Sequence, residues 1–444
     1  MADHQPFRVI IAGGGIAGLA LANALESAGI EYVLVEKKDI APQMGASICV
    51  HCHTFKIFEQ LGAWQRMSAE VFPLTARRHY RHGKLFDDSP VFERVMEAKK
   101  RPCVFMERRF CLEKLHENIK DKSRILTNTS ITSFSEDEDG ITVMTDGGES
   151  IRGSILVGTD GVHSKVRDLL AESISEEDPQ RYQNLVGGFK SRYRTVFGTS
   201  KNGLGKDKSK PLLPNGIIHH AYYRNLSGLT TAGPNGVVFW FLFVKEESVS
   251  KTPNCPRYTE ADAAATIAKY GHLIASPGYT FRDLWDARIG GGMVPMEEGV
   301  IQGPWNNGRR VVLVGDATTK TTVTGGLGGN LAVEGICNLA NELVPLVRRT
   351  SAPTTKELAA IFDRYEQVQR PRAEFCLSVS TYITRYESMD SLWLRFMRLL
   401  APWIPLQHKT KAILDYMKPA PFLNFLPDPD SHKFPKALSL KGKS

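Results

Sequence analysis

The sequence predicts an α/β fold with three parts: a doubly wound lobe of parallel strands, a second lobe built on a mixed β-sheet, and a helical C-terminal region. Two glycine-rich turns, at residues 13–18 and 325–329, each follow an apolar run and precede a helical pattern, which predicts the first lobe. Between them, β-branched and aromatic runs alternate with turn residues, as strands of a sheet do. After Pro345, apolar residues recur at helical spacing.

These patterns also predict the domain boundaries. The 444 residues, of which 42% are hydrophobic, are enough for more than one lobe. We expect residues 1–180 and 295–345 to form the doubly wound lobe together. Residues 181–294 should form the mixed sheet, and residues 346–444 the helical region.

Composition and charge indicate an ordinary globular chain. The net charge of +8 comes from 56 basic and 48 acidic side chains. Both signs are interspersed, and no basic stripe contains aromatic residues, so we expect no nucleic-acid partner. The polar stretch Met1–Phe7 leads directly into an apolar run, which predicts a chain without a signal peptide in the reducing cytoplasm.

No apolar run approaches the roughly 20 residues that span a bilayer, so we predict no transmembrane segment. The nearest candidate, SLWLRFMRLLAPWIPL at residues 391–406, contains Arg395, Arg398 and two prolines. This pattern predicts an amphipathic helix. Packing on its own domain is the favoured interpretation, and contact with the surface of an internal membrane is the alternative.

The seven cysteines show one metal-like spacing, the C-x-x-C of Cys49 and Cys52, with His51 and His53 beside it. A zinc site normally needs a second pair of ligands at similar spacing. Buried thiols are therefore the favoured interpretation, and we predict no metal site.

The first glycine-rich turn belongs to a complete strand–helix–strand unit. An apolar run at residues 9–11 precedes Gly13, Gly15 and Gly18, and a second run at 32–35 ends at Glu36. In such a unit the first glycine permits a tight turn, the second lets a pyrophosphate approach the backbone, and the third lets helix and strand pack closely. The acid then accepts hydrogen bonds from a ribose. The unit predicts a dinucleotide site without deciding between NAD and FAD.

Two later segments have the same strand–turn–helix form. Residues 154–170 carry Asp160 and Gly161 in the turn, and alone Asp160 could be an ordinary turn residue. Residues 311–335 deliver Asp316 from a strand into a loop of threonines and glycines, and we expect a helix from about Asn330. Capping of a turn is the competing role for Asp316.

In this order and spacing, the three segments resemble the three fingerprints of single-component FAD-dependent monooxygenases, the group that includes p-hydroxybenzoate hydroxylase. The stretches FMERRFCLEKL and FLNFLPDPD resemble a fungal subgroup that epoxidises prenyl chains of indole diterpenes and meroterpenoids or oxidises prenylated indole alkaloids. The resemblance implies a Rossmann-like FAD-binding lobe of the p-hydroxybenzoate hydroxylase type, with a mixed-sheet substrate lobe.

The resemblance also implies roles for individual residues. Those expected at FAD are Gly13, Gly15, Gly18, Glu36, Ala46, Cys49, Arg108, Asp160, Asp316 and Gly329. Arg109 is the alternative to Arg108 if the alignment shifts by one. Those expected to be catalytic are Arg194 and Tyr222, whose alternative roles are a surface cation and a core tyrosine. His219 and His220 are expected to be structural.

The activity implied is oxygenation. NAD(P)H would reduce FAD, O2 would add to form a flavin C4a-hydroperoxide, and an electron-rich double bond of a hydrophobic prenylated or polycyclic metabolite would be epoxidised or hydroxylated. No second G-x-G-x-x-G unit is present, so the nicotinamide is expected to visit transiently, with Lys165 and Arg167 as candidates to receive it.

Two alternatives remain at this point. The first is an NAD(P)-dependent dehydrogenase, which the Asp316 segment opposes. The second is a catalytically silent flavoprotein that binds a partner. Its support is the loop at residues 319–324, which lacks the histidine and the proline that relatives tend to carry there.

Overall fold

The computed structural model describes residues 6–42, 47–173, 178–203 and 211–431. In these ranges the strands are β1 (Arg8–Ala12), β2 (Glu31–Val35), β3 (Ser47–Val50), β4 (Ala76–Arg81), β5 (Lys84–Ser89), β6 (Val104–Glu107), β7 (Ile125–Leu126), β8 (Ile131–Glu136), β9 (Ile141–Thr145), β10 (Ser150–Gly153), β11 (Ile155–Gly158), β12 (Lys190–Lys201), β13 (Ile217–Tyr223), β14 (Leu226–Gly233), β15 (Val237–Lys251), β16 (Ile274–Ser276), β17 (Tyr279–Thr280), β18 (Arg288–Val300), β19 (Val311–Leu313) and β20 (Thr319–Lys320). The α-helices are α1 (Ile16–Ala28), α2 (Cys52–Gln60), α3 (Trp64–Met67), α4 (Val91–Lys99), α5 (Arg108–Asn118), α6 (Lys165–Glu172), α7 (Pro179–Val186), α8 (Glu260–Tyr270), α9 (Phe281–Asp286), α10 (Gly328–Arg349), α11 (Thr355–Glu387), α12 (Leu392–Leu400) and α13 (Leu406–Tyr416).

The doubly wound lobe is built on a parallel sheet in the order β19-β11-β1-β2-β7. Its central strands are apolar and almost wholly buried, as parallel strands covered on both faces must be. Helices α1 and α10 follow the two glycine-rich turns and pack against each other. The predicted Rossmann-like lobe is confirmed, and α10 begins at Gly328, slightly before the expected start.

The second lobe is a mixed sheet in the order β20-β18-β12-β15-β14-β13-β4-β5, as predicted. Its neighbouring strands are antiparallel, except that β13 runs parallel to β4. The sheet takes β4 and β5 from residues before 181, and β20 from residues after 294. One face of this sheet and the turns at the carboxyl ends of the parallel strands line a shared cavity.

The C-terminal region is helical, as predicted. Helix α11 starts at a capping box in which Thr354 and Glu357 bond to each other's backbone amides, and it packs on α10 and β18. Helix α12 turns its apolar side outward, so that Leu392, Trp393 and Trp403 just beyond it are exposed. Among the described residues no helix is long and apolar enough to cross a membrane.

Candidate cofactor and substrate site

A cavity of about 410 Å³ lies between the two lobes, and the mixed sheet forms its floor. Side chains alternate across a strand, so one residue in two points into the cavity. The floor residues are Arg77 on β4, Ile218 and His220 on β13, Leu229 on β14, Phe241 on β15, Thr195 and Phe197 on β12, and Val294 on β18. Phe197, Phe241 and Leu229 pair across neighbouring strands, so the centre of the floor is apolar.

The opposite wall comes from the doubly wound lobe. It contains Gly15, Cys49, Arg108, Asp316 and Gly329, five of the residues expected at FAD. A second cavity of about 440 Å³ lies on the other side of the first glycine turn and is lined by further predicted residues, Gly13, Glu36 and Asp160. Ala46 lies outside the described residues. An elongated dinucleotide could therefore lie along the glycine turn with an end in each cavity.

The three glycines of the first turn have different surroundings. A Cβ on Gly18 would collide with the carbonyl oxygen of Gly13, and Gly13 itself has φ +105°. Gly18 is therefore required by the close packing of strand and helix, and Gly13 by its backbone conformation and by the Asp160 backbone, which a Cβ would meet at 2.8 Å. Gly15 has φ −75°, and a Cβ there would meet nothing nearer than Arg108 Nη2 at 3.8 Å. Gly15 leaves open space beside the uncapped start of α1, where a phosphate would bind.

Glu36 ends β2 beside the second cavity. One carboxylate oxygen accepts a hydrogen bond from the Gly14 amide at 2.6 Å, and the other accepts one from the Lys38 amide at 3.0 Å. A carboxylate can accept about four hydrogen bonds, so capacity for a ribose remains. The backbone thus fixes the orientation of the predicted ribose acid.

Asp160 lies in the turn of the second segment, residues 154–170. It accepts hydrogen bonds from Ser164 Oγ at 2.5 Å and from the Val166 amide at 3.0 Å, and so caps the start of α6. Burial raises the pKa of its carboxyl group. Arg167, on the same helix, is buried and donates to the carbonyl of Ala317 at 3.0 Å. Arg167 therefore ties the segments together, whereas Lys165 lines the second cavity.

Asp316 lies in the cavity wall and forms an ion pair with Lys320. The loop that follows is held by Asn330, whose side-chain amide donates to the carbonyls of Cys49 at 2.8 Å and Gly326 at 2.6 Å. Its oxygen accepts from the His51 amide at 2.9 Å. Asn330 thereby clamps the glycine loop to β3 and supports the start of α10, a role that was not predicted from the sequence.

The two adjacent arginines at the start of α5 differ clearly. Arg108 lines the cavity and has no ion-pair partner within the ranges the structure describes. Arg109 points away and forms an ion pair with Glu113 at 2.7 Å. An unpaired guanidinium beside Gly15 suits a polyanion, so the geometry favours Arg108 over Arg109.

The two residues expected to be catalytic are not brought together. Thr195 and Phe197 on β12 face the cavity. Arg194 immediately precedes Thr195, so its side chain lies on the other face of the sheet, where it contacts Glu246 at 2.7 Å. Tyr222 shares a face of β13 with His220, but it is fully buried and does not line the cavity, and its hydroxyl lies 3.0 Å from His79 Nδ1. Burial raises its pKa well above the usual value, so the hydroxyl is protonated.

A polar cluster closes this end of the cavity. His220, expected to be structural, lines the cavity, and its Nδ1 lies 3.0 Å from Glu387 on α11. His79 stacks on His220 with ring centroids 5.0 Å apart. Because Ile218, His220 and Tyr222 alternate along β13, the spacing in the sequence carried a signal that they share a face. It did not show that this face borders a cavity.

Cys49 and His51, in the wall opposite the floor, are neutral near pH 7. Burial raises the pKa of the Cys49 thiol to about 12. Burial also lowers the pKa of His51 well below its usual value, with a smaller contribution from His53. His53 is bound to Glu334 at 2.7 Å. The described residues include no group of three or more histidine, cysteine or acidic side chains that could hold a metal ion.

Comparison with known proteins agrees with this geometry. A family model described as an FAD binding domain matches residues 7–192 and 294–378, more than half of the chain. The unmatched stretch between them contains most of the mixed sheet.

Two fungal proteins are similar to this chain in sequence. The FAD-dependent monooxygenase cdmI of Talaromyces verruculosus is 30% identical over 437 residues, which cover 97% of this chain and 89% of that protein. The FAD-dependent monooxygenase olcE of Penicillium canescens is 32% identical over 449 residues, covering 99% and 93%.

A solved structure shares the fold. Klebsiella pneumoniae HpxO, complexed with FAD and uric acid, superposes with a TM-score of 0.74 at 18% identity, over 94% of this chain and 98% of that one. The resemblance predicted from the three glycine and aspartate segments is thus confirmed by sequence and by fold. On this evidence, the chain belongs to the family of FAD-dependent monooxygenases.

Proposed function

We propose that this monooxygenase uses NAD(P)H and O2 to epoxidise or hydroxylate a hydrophobic prenylated or polycyclic metabolite of a fungal secondary pathway. The observation that carries the proposal is the shared cavity: residues predicted to hold FAD form one wall, and an apolar floor of Phe197, Phe241 and Leu229 faces them. A site of this kind holds a cofactor against a hydrophobic substrate.

The residues present fit FAD. The glycine turn, Glu36 and Arg108 suit the adenosine and pyrophosphate part, while Asp316 and the uncapped start of α10 suit the ribityl chain and the ring. When bound, FAD would accept a hydride from NAD(P)H and, once reduced, would activate O2 for transfer of one oxygen atom to the substrate. The positive end of α10 would stabilise negative charge on the reduced ring.

The chain itself would position the substrate and exclude water from the reacting atoms. The aromatic and aliphatic floor would align the reacting double bond and displace water from it. Tyr222, with its protonated hydroxyl near His79, is our candidate for donating a proton at that end of the cavity. Arg194 is the catalytic candidate that the resemblance implies, whereas its contact with Glu246 on the far face of the sheet favours a structural role. Lys165 is our candidate to receive the phosphates of the visiting nicotinamide.

The first experiment is the absorbance spectrum of the purified protein, followed by NAD(P)H oxidation under air with prenylated indoles and meroterpenoids. We expect a bound flavin, substrate-dependent NAD(P)H use and an oxygenated product. A protein that takes up no FAD would overturn the proposal in favour of a nicotinamide dehydrogenase. Bound FAD without substrate-stimulated oxidation across the panel would favour the silent flavoprotein.

We also propose that helix α12 contacts the surface of an internal membrane. Leu392, Trp393 and Phe396 project from its outward side, and Trp403 follows in the next turn. Arg395 lies on the same helix. Exposed tryptophans with neighbouring cations are typical of helices that lie in a lipid interface. A hydrophobic substrate could then reach the enzyme from the bilayer.

A further inference from the structure

Arg77 is an arginine on the floor of the substrate cavity. It lies on β4 with Ile218 as its partner on β13, so both side chains project from the cavity face of the sheet. Its guanidinium carbon lies 5.1 Å from the centre of the Phe92 ring. The side chain is therefore held against an aromatic face while its charged end borders the cavity.

The charge of Arg77 has no direct counterpart. Within 6–42, 47–173, 178–203 and 211–431, no carboxylate forms an ion pair with it, and its Nε is buried without a hydrogen-bond acceptor. A guanidinium remains protonated in proteins and offers five donors. Burying such a group without acceptors is costly, which is typical of a site that a ligand completes.

The groups around Arg77 do not neutralise it by contact. Glu387, a nearby carboxylate, lies 3.0 Å from His220 Nδ1 and forms no ion pair with Arg77 within the described residues. Cys49, Tyr222 and Tyr416 are uncharged near neutral pH, because burial raises the pKa of each. The end of the cavity at β4 thus presents donors and positive charge, whereas the middle of its floor is apolar.

Arg77 also differs from the arginine that faces the cofactor. Arg108 lies beside Gly15 in the wall of the doubly wound lobe, next to the uncapped start of α1. Arg77 lies on the other side of the cavity, in the sheet that would carry the substrate. The pyrophosphate is therefore supplied with a cation already, and Arg77 is available for a different anion.

We propose that Arg77 binds an anionic oxygen group of the substrate, a carboxylate or the enolate of an acidic enol, at one end of an otherwise hydrophobic molecule. This inference rests on the proposed function, because it narrows the substrate class of the same cavity. A guanidinium binds such a planar group through two parallel hydrogen bonds. Anchoring the anion at β4 would lay the apolar remainder across Leu229, Phe241 and Phe197 towards the flavin.

The test uses two matched pairs of probes with the FAD-loaded full chain. One pair is 2-naphthoate and 2-naphthamide, and the other is 4-hydroxycoumarin and 4-methoxycoumarin. Binding is measured by calorimetry and by the change in flavin absorbance. We expect the anion of at least one pair to bind about tenfold or more tightly than its neutral partner, and the pair that shows this identifies the anion as carboxylate or enolate.

Arg77→Gln should abolish the preference while leaving FAD content and the weaker binding of the neutral probe unchanged. Arg77→Lys should retain part of it, because the charge remains and the planar fork is lost. Arg78→Gln is the matched control, since Arg78 is the next residue on β4 and pairs with Asp88 at 3.0 Å instead of facing the cavity. It should behave like the unmodified protein.

Several results would overturn the inference. They are failure of both anions to bind the unmodified protein, equal binding of anionic and neutral probes, a preference that survives Arg77→Gln, or loss of FAD from that variant. Binding is measured without turnover, so it is independent of the oxygenation assay. Oxygenation of neutral substrates without an Arg77 requirement would leave the proposed function standing and remove this inference alone.

Discussion

The glycines of the first turn show how single residues divide between folding and cofactor binding. A Cβ on Gly18 would collide with backbone, whereas one on Gly15 would enter open space at an ordinary φ of −75°. We therefore expect Gly15→Ala to fold normally and to lose FAD, because the added methyl group occupies the approach of the pyrophosphate. FAD content of the purified variant and its unfolding midpoint measure the two effects.

Gly18→Ala is the matched control for that substitution. It should be destabilised by several kcal/mol, on the order of 3, because the collision is with a carbonyl oxygen that cannot move aside. Full FAD occupancy in Gly15→Ala would show that the phosphates do not pass this residue. A stable Gly18→Ala protein would contradict the packing described for strand and helix.

Replacing Arg194 tests whether this residue is catalytic, as the resemblance implies, or structural, as its position on the far face of the sheet indicates. The resemblance predicts that Arg194→Ala loses product, whereas its contact with Glu246 on the far face of the sheet predicts little change. We expect FAD and product formation to be retained, with a stability loss of at most about 1 kcal/mol for a partly exposed ion pair. Product yield and unfolding midpoint are compared with those of Glu246→Gln.

The second variant removes the same ion pair from the other partner. Equal, small effects of Arg194→Ala and Glu246→Gln would assign the arginine a structural role. Loss of product from Arg194→Ala alone would restore it to the mechanism and would require the sheet to expose it to substrate during turnover.

Residues whose role depends on the backbone were the most predictable. Gly13 and Gly18 are needed wherever a strand and helix meet at this turn, so their spacing alone indicated their place. The cavity positions of Arg77 and His220 were not predicted, because each depends on the face of a strand and on what that face covers. Periodicity shows that His220 and Tyr222 share a face, but only the assembled sheet shows a cavity there.

At the scale of elements, the loop before α10 shows what local sequence can and cannot predict. The glycines indicated a close approach of backbone, and a Cβ on Gly329 would indeed come within 2.7 Å of Ile48. The clamp by Asn330 joins this loop to Cys49 on β3, which is 281 residues away in the sequence. Contacts at that separation carry no local signal.

Helix α12 provides a prediction about membrane contact. Trp393 and Trp403 are 64% and 84% exposed, so replacing them should not alter the stability of the fold. We expect the unmodified protein to sediment with vesicles of phosphatidylcholine and phosphatidylserine. The double variant Trp393→Ser/Trp403→Ser should bind about tenfold more weakly, because much apolar area would no longer enter the interface.

The control is Ile289→Ser, which removes another exposed apolar side chain, 56% accessible, from β18 in the other lobe. It should leave vesicle binding unchanged. If the unmodified protein does not sediment with vesicles, or if the control weakens binding as much as the double variant does, the outward face of α12 does not bind lipid.

For the whole molecule, the sequence predicted the lobes better than it predicted how they join. The strands β12 to β15 appear in the sequence as separate apolar runs and were expected as a sheet. The parallel pairing of β13 with β4 joins residues from different predicted segments and completes the cavity at Arg77. Such a pairing depends on the arrangement of the entire chain, and it places the polar cluster at the end of the cavity.

The buried histidines make a global prediction about pH. Burial is the largest cause that lowers the pKa of His51 and His79 well below the usual value, and that of His219 to about 3. The unfolded chain takes up protons at these positions near pH 6.5, whereas the folded chain does not. Below about pH 6.5 the unfolded state therefore binds more protons, and the free energy of unfolding falls as the pH falls.

Each such group contributes up to about 1.4 kcal/mol per pH unit, from roughly pH 6.5 down to its folded pKa. The free energy of unfolding of the FAD-loaded protein, from urea titrations between about pH 7.5 and 5.5, measures the slope. The raised pKa of Asp160 acts in the opposite sense, since protonation of a buried carboxyl favours the folded state as the pH falls.

His219→Asn isolates one of these groups, because His219 is buried and contacts Tyr80 at 3.2 Å, away from the residues that line the cavity. The variant should show a shallower decline in stability below about pH 6.5, whatever its stability at neutral pH. His272→Gln, at an exposed position, should keep the slope of the unmodified protein. A slope that is unchanged in His219→Asn would mean that this imidazole takes up its proton in the folded state as readily as in the unfolded chain, although no carboxylate of the described residues forms an ion pair with it.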